Sequence, residues 1–273
     1  MVKKLLLILF LNSIIAFSID FTIIDVKDRP VFKIELTNNI ASNENIEFIK
    51  VIESGNINTV KEFVTNNKLE VSNIRFSSGY TPLMLASQYG YTQIVRYFLE
   101  EGSNVNSESS NGETALLFAL YNRKEVIANI LLRANANVDI KARNGYTPLI
   151  VAVEKSSSTL AKSIIDKSSK VNATSNDGVS ALVLSVLLKK YDYVELLLNK
   201  RADINTVARN GYTPLMIACE LEDLDMVNLL IKNKANVRLS SFGLFSRSTA
   251  LSIAERKKNK QIIEALRKAG AIQ

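Results

Sequence analysis

The pentapeptide GYTPL stands at residues 79–83, again at 145–149 and again at 211–215. The interval is 66 residues each time, and halfway along each interval lie GETAL at 112–116 and GVSAL at 178–182. Gly79, Gly112, Gly145, Gly178 and Gly211 are therefore spaced by 33 without a slip. A fixed period of about 20–50 residues marks an array in which each unit stacks on its neighbours.

Residues 79–111, GYTPLMLASQYGYTQIVRYFLEEGSNVNSESSN, show what one unit requires. Gly79 supplies a backbone free to take positive φ in a turn. Thr81 suits a helix N-cap, and Pro82 the first helical position, where its missing N–H costs nothing. Leu83, Leu85 and Ala86 begin a short helix with an apolar face, which Gly90 ends. Ile94, Val95, Phe98 and Leu99 mark a second helix, closed by Gly102. Equivalent places keep their character. Ile94 corresponds to Ile127, Leu160, Tyr193 and Met226, and Val105 to Val138, Val171, Ile204 and Val237. Helices this short are not stable alone in water, so the fold depends on stacking.

These units resemble ankyrin repeats. The residues that carry the resemblance are Gly145-Tyr146-Thr147-Pro148-Leu149 and Ala202-Asp203-Ile204-Asn205, with related runs throughout 45–273. The resemblance implies an all-α, ankyrin-repeat solenoid of stacked helix-turn-helix units with hairpin-like loops along one edge. The period divides it into a cap at 45–78, repeats at 79–111, 112–144, 145–177, 178–210 and 211–247, and a C-terminal cap at 248–273. Seven helix pairs are expected. The family's helix-start histidine is missing, its place held by Met84, Leu117, Ile150, Val183, Met216 and Ser252. Apolar packing is expected to substitute for it.

The chain opens MVKKLLLILFLNSIIAFSIDF. Lys3 and Lys4 form a positive n-region, Leu5 to Phe17 an apolar h-region, and Ala16 and Ser18 the small residues of a cleavage site. This is the pattern of a secretory signal peptide over 1–18. An uncleaved anchor is the rival, but spanning a bilayer takes roughly 20 apolar residues. A buried core segment is the third reading. The expected destination is periplasmic or secreted. Residues 19–44 precede the array, and FTIIDV and VFKIEL around Asp28-Arg29-Pro30 suit a β-hairpin or a linker. A composition rich in Lys, Asn and Ile fits an AT-rich bacterial source.

Histidine is absent and Cys219 is the single cysteine. These counts exclude an internal disulfide, a His/Cys metal cluster and every Ser-His or Cys-His catalytic pair. No phosphate-cradling glycine loop is present. Thr159-Leu160-Ala161-Lys162 loosely imitates a catalytic S-x-x-K, but the period puts Lys162 where Arg96, Asn129, Glu195 and Asn228 stand, a solvent-facing helix position. Cys219 falls with Ser87, Leu120, Val153 and Val186, a small or apolar site. No enzyme activity, cofactor or metal is expected. A hydrolase working with Asp, Glu or Lys alone, in 19–44 or the 239–248 loop, is the least favoured alternative.

The resemblance implies that a protein partner binds the concave face, built from loop tips and the exposed side of each first helix. Carried over by position, this picks out Tyr80, Tyr146 and Tyr212 beside the turn glycines. It also picks out Tyr89, Tyr121, Lys155, Leu187, Leu188 and Glu220 along the first helices, and Lys141, Arg143 and Arg209 at loop tips. Tyrosine buries a large area at low entropic cost, which suits such a surface. The plainer reading is that Tyr80, Tyr146 and Tyr212 pack against adjacent loops. The module 248–273 carries six basic and two acidic residues. It reads as the polar outer face of a terminal repeat, with a patch for an acidic partner or an anionic membrane surface as the alternative and nucleic acid disfavoured for want of stacking aromatics. The expectation is a monomeric, non-enzymatic protein-binding module, exported from the cytoplasm. A host protein as target is the rival to a partner in the cell envelope.

Overall fold

A computed structural model of the chain describes residues 43–208, 211–241 and 248–272. The signal-peptide and hairpin expectations for 1–42 lie outside the described residues. Fourteen α-helices occur among the described residues. Contacts divide the described residues into two compact units, 43–204 and 205–272, each taken by itself below.

The first unit holds five helix pairs: α1 (Asn43–Glu53) with α2 (Ile57–Asn66), α3 (Pro82–Tyr89) with α4 (Thr92–Glu100), α5 (Ala115–Tyr121) with α6 (Glu125–Arg133), α7 (Pro148–Lys155) with α8 (Ser158–Lys167), and α9 (Ala181–Leu187) with α10 (Tyr191–Asn199). The first helices α1, α3, α5, α7 and α9 pack in succession, and each lies on its own second helix. The second unit holds α11 (Pro214–Glu220) with α12 (Leu224–Lys232) and α13 (Ala250–Arg256) with α14 (Lys260–Lys268), stacked in the same way.

The same local rules start each first helix. Thr81, Thr114, Thr147, Ser180, Thr213 and Thr249 each accept the backbone N–H three residues on, which satisfies an otherwise orphaned donor. The first helices α3, α5, α7, α9 and α11 are buried all round except at their C-terminal ends: every residue of 82–88, 115–120, 148–153, 181–186 and 214–219 is buried. This departs from the one-sided apolar face expected for them. In the first unit α3, α5 and α7 each have their own second helix on one side and a first helix before and after, so little of them meets water. The second helices are half-buried, as Ile94, Val95 and Phe98 illustrate in α4. Met84, Leu117, Ile150, Val183 and Met216, at the place of the missing histidine, are all buried in the core. At the N-terminal end the core is aromatic: Phe48 stacks on Phe63 at 5.3 Å and meets Phe76 and Phe98 edge-on.

Two ladders tie successive pairs together. Along the hairpin edge of the first unit, Ser110 N donates to Ser78 O, Arg143 N to Asn111 O and Asn176 N to Asn144 O, at 2.7–3.0 Å. On the other side of the loops a column of Asn and Asp reaches the next loop. Asn106 accepts from Asn137 N, Asn172 from Asp203 N and, in the second unit, Asn205 from Asn236 N. Asp139 takes the same place and accepts from Ser168 Oγ, from Ser169 N and Oγ, and from Lys170 N. Burial alone would raise its carboxyl, but these donors together hold it below its ordinary value.

Candidate functional site

The hairpin column is buried. Tyr80, Glu113, Tyr146, Val179 and Tyr212 are only 4–8% exposed. The placement of Tyr80, Tyr146 and Tyr212 on an open surface is therefore corrected, and the reason is the hairpin itself. Each residue's carbonyl accepts from the residue four before it, as in Phe76 N to Tyr80 O (2.7 Å), Ala142 N to Tyr146 O and Ala208 N to Tyr212 O (both 3.0 Å). That pairing turns the side chain in under the loop. The Tyr80 ring lies against Phe118 of α5, with centroids 5.3 Å apart. Burial first, then the Glu113 carboxylate, push the Tyr80 hydroxyl well above its ordinary value. Burial likewise raises the Glu113 carboxyl, opposed by a hydrogen bond from Ser109.

What the first helices leave open is their C-terminal ends. Tyr89 is 37% exposed at the end of α3, and Leu188 is 42% exposed just past α9. Tyr121 and Leu187 are half-buried. Tyr89 does not stand alone. Its hydroxyl donates to Glu53 Oε1 at 2.8 Å, and that of Tyr91 donates to Glu53 O at 2.9 Å. The two rings stack at 5.6 Å and 19°. Burial and the Glu53 contact push the Tyr89 hydroxyl up to about 12. Both hydroxyls are thus engaged, and the platform offers ring surface rather than a phenol.

Two charged members of the predicted surface are engaged inside their own units. The Lys155 ammonium lies 3.8 Å from Glu154, and both side chains are largely buried. Glu220 is held by Arg256 at 2.5 Å and Lys257 at 3.0 Å. At the loop tips Lys141 and Arg143 are exposed, and Arg209 lies outside the described residues.

Chemistry finds little support. Lys162 of the T-x-x-K run pairs with Asp192 at 3.0 Å on an exposed helix face. Cys219 is fully buried, and burial, then Glu220, push its thiol up to about 12, away from the thiolate a nucleophile needs. Among the described residues no group of three or more His, Cys, Asp or Glu is placed to hold a metal ion, and no helix is long and apolar enough to cross a membrane. In the basic C-terminal module Arg256, Lys257, Arg267 and Lys268 each form an ion pair, with Glu220, Glu220, Glu255 and Glu264 respectively.

Comparison with known families agrees with this architecture. The profile described as ankyrin repeats (3 copies) matches residues 48–143, 127–208 and 202–272. The chain belongs to the ankyrin-repeat family. No curated protein sequence matches this ankyrin chain. Among solved structures, a chain in the complex of the predatory endopeptidase Bd0816 from Bdellovibrio bacteriovorus with the immunity protein Bd3460 is similar. It is 31% identical with a TM-score of 0.60, and the match covers 71% of this chain and 100% of that one. The human ASB11 ankyrin repeat domain shares the fold at 18% identity, with a TM-score of 0.62 over 83% of this chain and 98% of that one. Ankyrin repeats are generally a non-enzymatic scaffold for protein–protein interaction, and a surface made of rings, aliphatic side chains and loop-tip cations is suited to that task.

Sequence reasoning missed the partners of Tyr89 in this ankyrin array. Glu53 lies 36 residues before Tyr89, three more than the repeat, because the cap departs from the strict period. It missed the Asn/Asp column too, although a signal was present: Asn106, Asp139, Asn172 and Asn205 are spaced by 33 directly after the apolar column.

Proposed function

We propose that this ankyrin protein is exported and works by binding, and thereby restraining, a peptidase-type partner in the compartment it reaches. The carrying observation is the 31% identity over the full length of a chain from an endopeptidase–immunity protein complex. The export part rests on the n-region, h-region and small residues of 1–18. The binding part is supported by the ankyrin-repeat match and by a single cysteine that is buried away from chemistry. The ion pairs that engage Arg256, Lys257, Arg267 and Lys268 make a membrane-surface role through the C-terminal module the weaker reading.

The test is capture followed by an activity assay. The protein is immobilised and exposed to envelope and secreted fractions of the source cell, and retained proteins are assayed for peptide-bond hydrolysis. The expected result is one retained hydrolase, slowed in proportion to added ankyrin protein. A retained partner without hydrolytic activity, or a hydrolase whose rate is unchanged at saturation, overturns the restraining role. N-terminal sequencing of the exported protein decides the cleavage after Ser18.

A further inference from the structure

Some cations on this protein are compensated and others are not. In the first unit Lys155, Lys162 and Lys200 sit by Glu154, Asp192 and Asp166, and Lys190 donates to Val153 O and lies over the Tyr193 ring. Lys141 and Arg143 belong to the uncompensated ones. Both are exposed, and neither side chain has a hydrogen bond or ion pair among the described residues. They flank Ala142, which is buried, in a tip whose backbone is fixed from several sides. Ala142 N donates to Tyr146 O, Gly145 N to Ala142 O, and Arg143 N to Asn111 O of the preceding loop. Asn176 of the following loop donates from its side chain to Arg143 O at 2.7 Å and from its backbone to Asn144 O. The neighbouring tips carry acid, Glu108 on one side and Asp177 on the other.

We propose that the Lys141–Arg143 tip is a docking element for a pair of carboxylates on the protein partner, an inference that rests on the binding role proposed above. Two features select that occupant. The backbone is ordered before binding, so little chain entropy is lost on contact. The charge order across the three tips is negative, positive, negative. A continuous anionic surface, whether lipid headgroups or a nucleic-acid backbone, would bring its charge against Glu108 and Asp177 as well. A protein surface can place its carboxylates against the two cations alone. Arg143 adds a planar donor set that matches a carboxylate in two places at once.

The probe is the peptide acetyl-Gly-Glu-Gly-Glu-Gly-amide, titrated into the protein as purified from its expressing cell and followed by amide resonances at low salt. Shifts are expected at 141–145, fading as salt is raised. They should vanish in the K141A/R143A variant and survive in K141R/R143K. Both positions are exposed, so the thermal midpoint of either variant should match the parent. Shifts that scatter over other lysines, or that persist in K141A/R143A, overturn the proposal. So does stronger engagement of the tip by anionic phosphatidylglycerol vesicles or by oligothymidylate. The captured partner then separates the two readings. The K141E/R143E variant should bind it about tenfold or more weakly, with the on-rate losing its salt dependence. Equal binding by parent and variant leaves the functional reading standing and removes this one. Failure of the parent to capture any hydrolase removes the functional reading, while the peptide titration still decides the tip.

Discussion

At the residue scale the loops are where chemistry is least negotiable. Gly145 and Gly102 both hold positive φ, at 83° and 79°. A side chain at Gly145 would run into the backbone nitrogen of Asn176, whereas nothing lies within 4 Å of the same point at Gly102. Gly102→Ala should cost about 1 kcal/mol, the conformational penalty alone. Gly145→Ala should cost clearly more, because it also breaks the contact between neighbouring loops. Equal losses in urea unfolding of the two variants would remove the role given to that contact. Glu113 is a residue-scale liability of the opposite kind. Its folded value is raised by burial, so its contribution to stability is full below the ordinary value of 4.5 and is lost as pH rises through the folded value. Glu113→Gln should therefore match the parent below about pH 4.5 and exceed it at pH 7, read as thermal midpoints across pH. A parent that is the more stable at pH 7 would contradict this.

At the element scale the helix pairs were legible and their surroundings were not. Thr81 as cap, Pro82 as first helical residue and Ile94, Val95 and Phe98 as the buried stripe of the second helix all follow from spacing, and the structure places them so. The near-complete burial of the first helices was not legible. Periodicity reports a face only when one side meets water, and a helix packed on several sides loses that contrast. The Asn/Asp column is the element-scale clasp. Asn172 accepts from Asp203 N at 2.7 Å and donates to Arg201 O at 3.3 Å, joining loops about one repeat apart. Asn172→Ala should lower stability by about 1–2 kcal/mol in denaturant titration. An unchanged midpoint would mean that water replaces both bonds at no cost.

At the scale of the molecule, stability in a stacked array is close to a sum of units and the interfaces between them. Cys219 reports on that sum in the second unit. It is buried in α11 with its thiol pushed up to about 12, so alkylation requires opening of the helix pair around it. Iodoacetamide should label it at a rate set by unfolding, orders of magnitude below that of a free thiol, and denaturant should restore ordinary reactivity. Rapid labelling of the native protein would contradict that burial. The binding surface belongs to this scale as well. Of the residues first assigned to it, Tyr89, Leu188, Lys141 and Arg143 are exposed, Tyr121 and Leu187 are half-covered, and Tyr80, Tyr146 and Tyr212 are core.

The sequence by itself determined the family, the period, the all-α stack, the helix N-caps and the turn glycines. Each of these is a local requirement repeated at a fixed interval, and repetition makes a local requirement visible. The tertiary structure decided which tyrosines are surface and which are core, because hairpin pairing turns Tyr80, Tyr146 and Tyr212 under their loops while Tyr89 sits at a helix end. It also decided which charges are already compensated, since partners such as Arg256 for Glu220 lie more than thirty residues away and join only when the chain stacks. Burial and pairing are relations between distant segments, and no single repeat carries them.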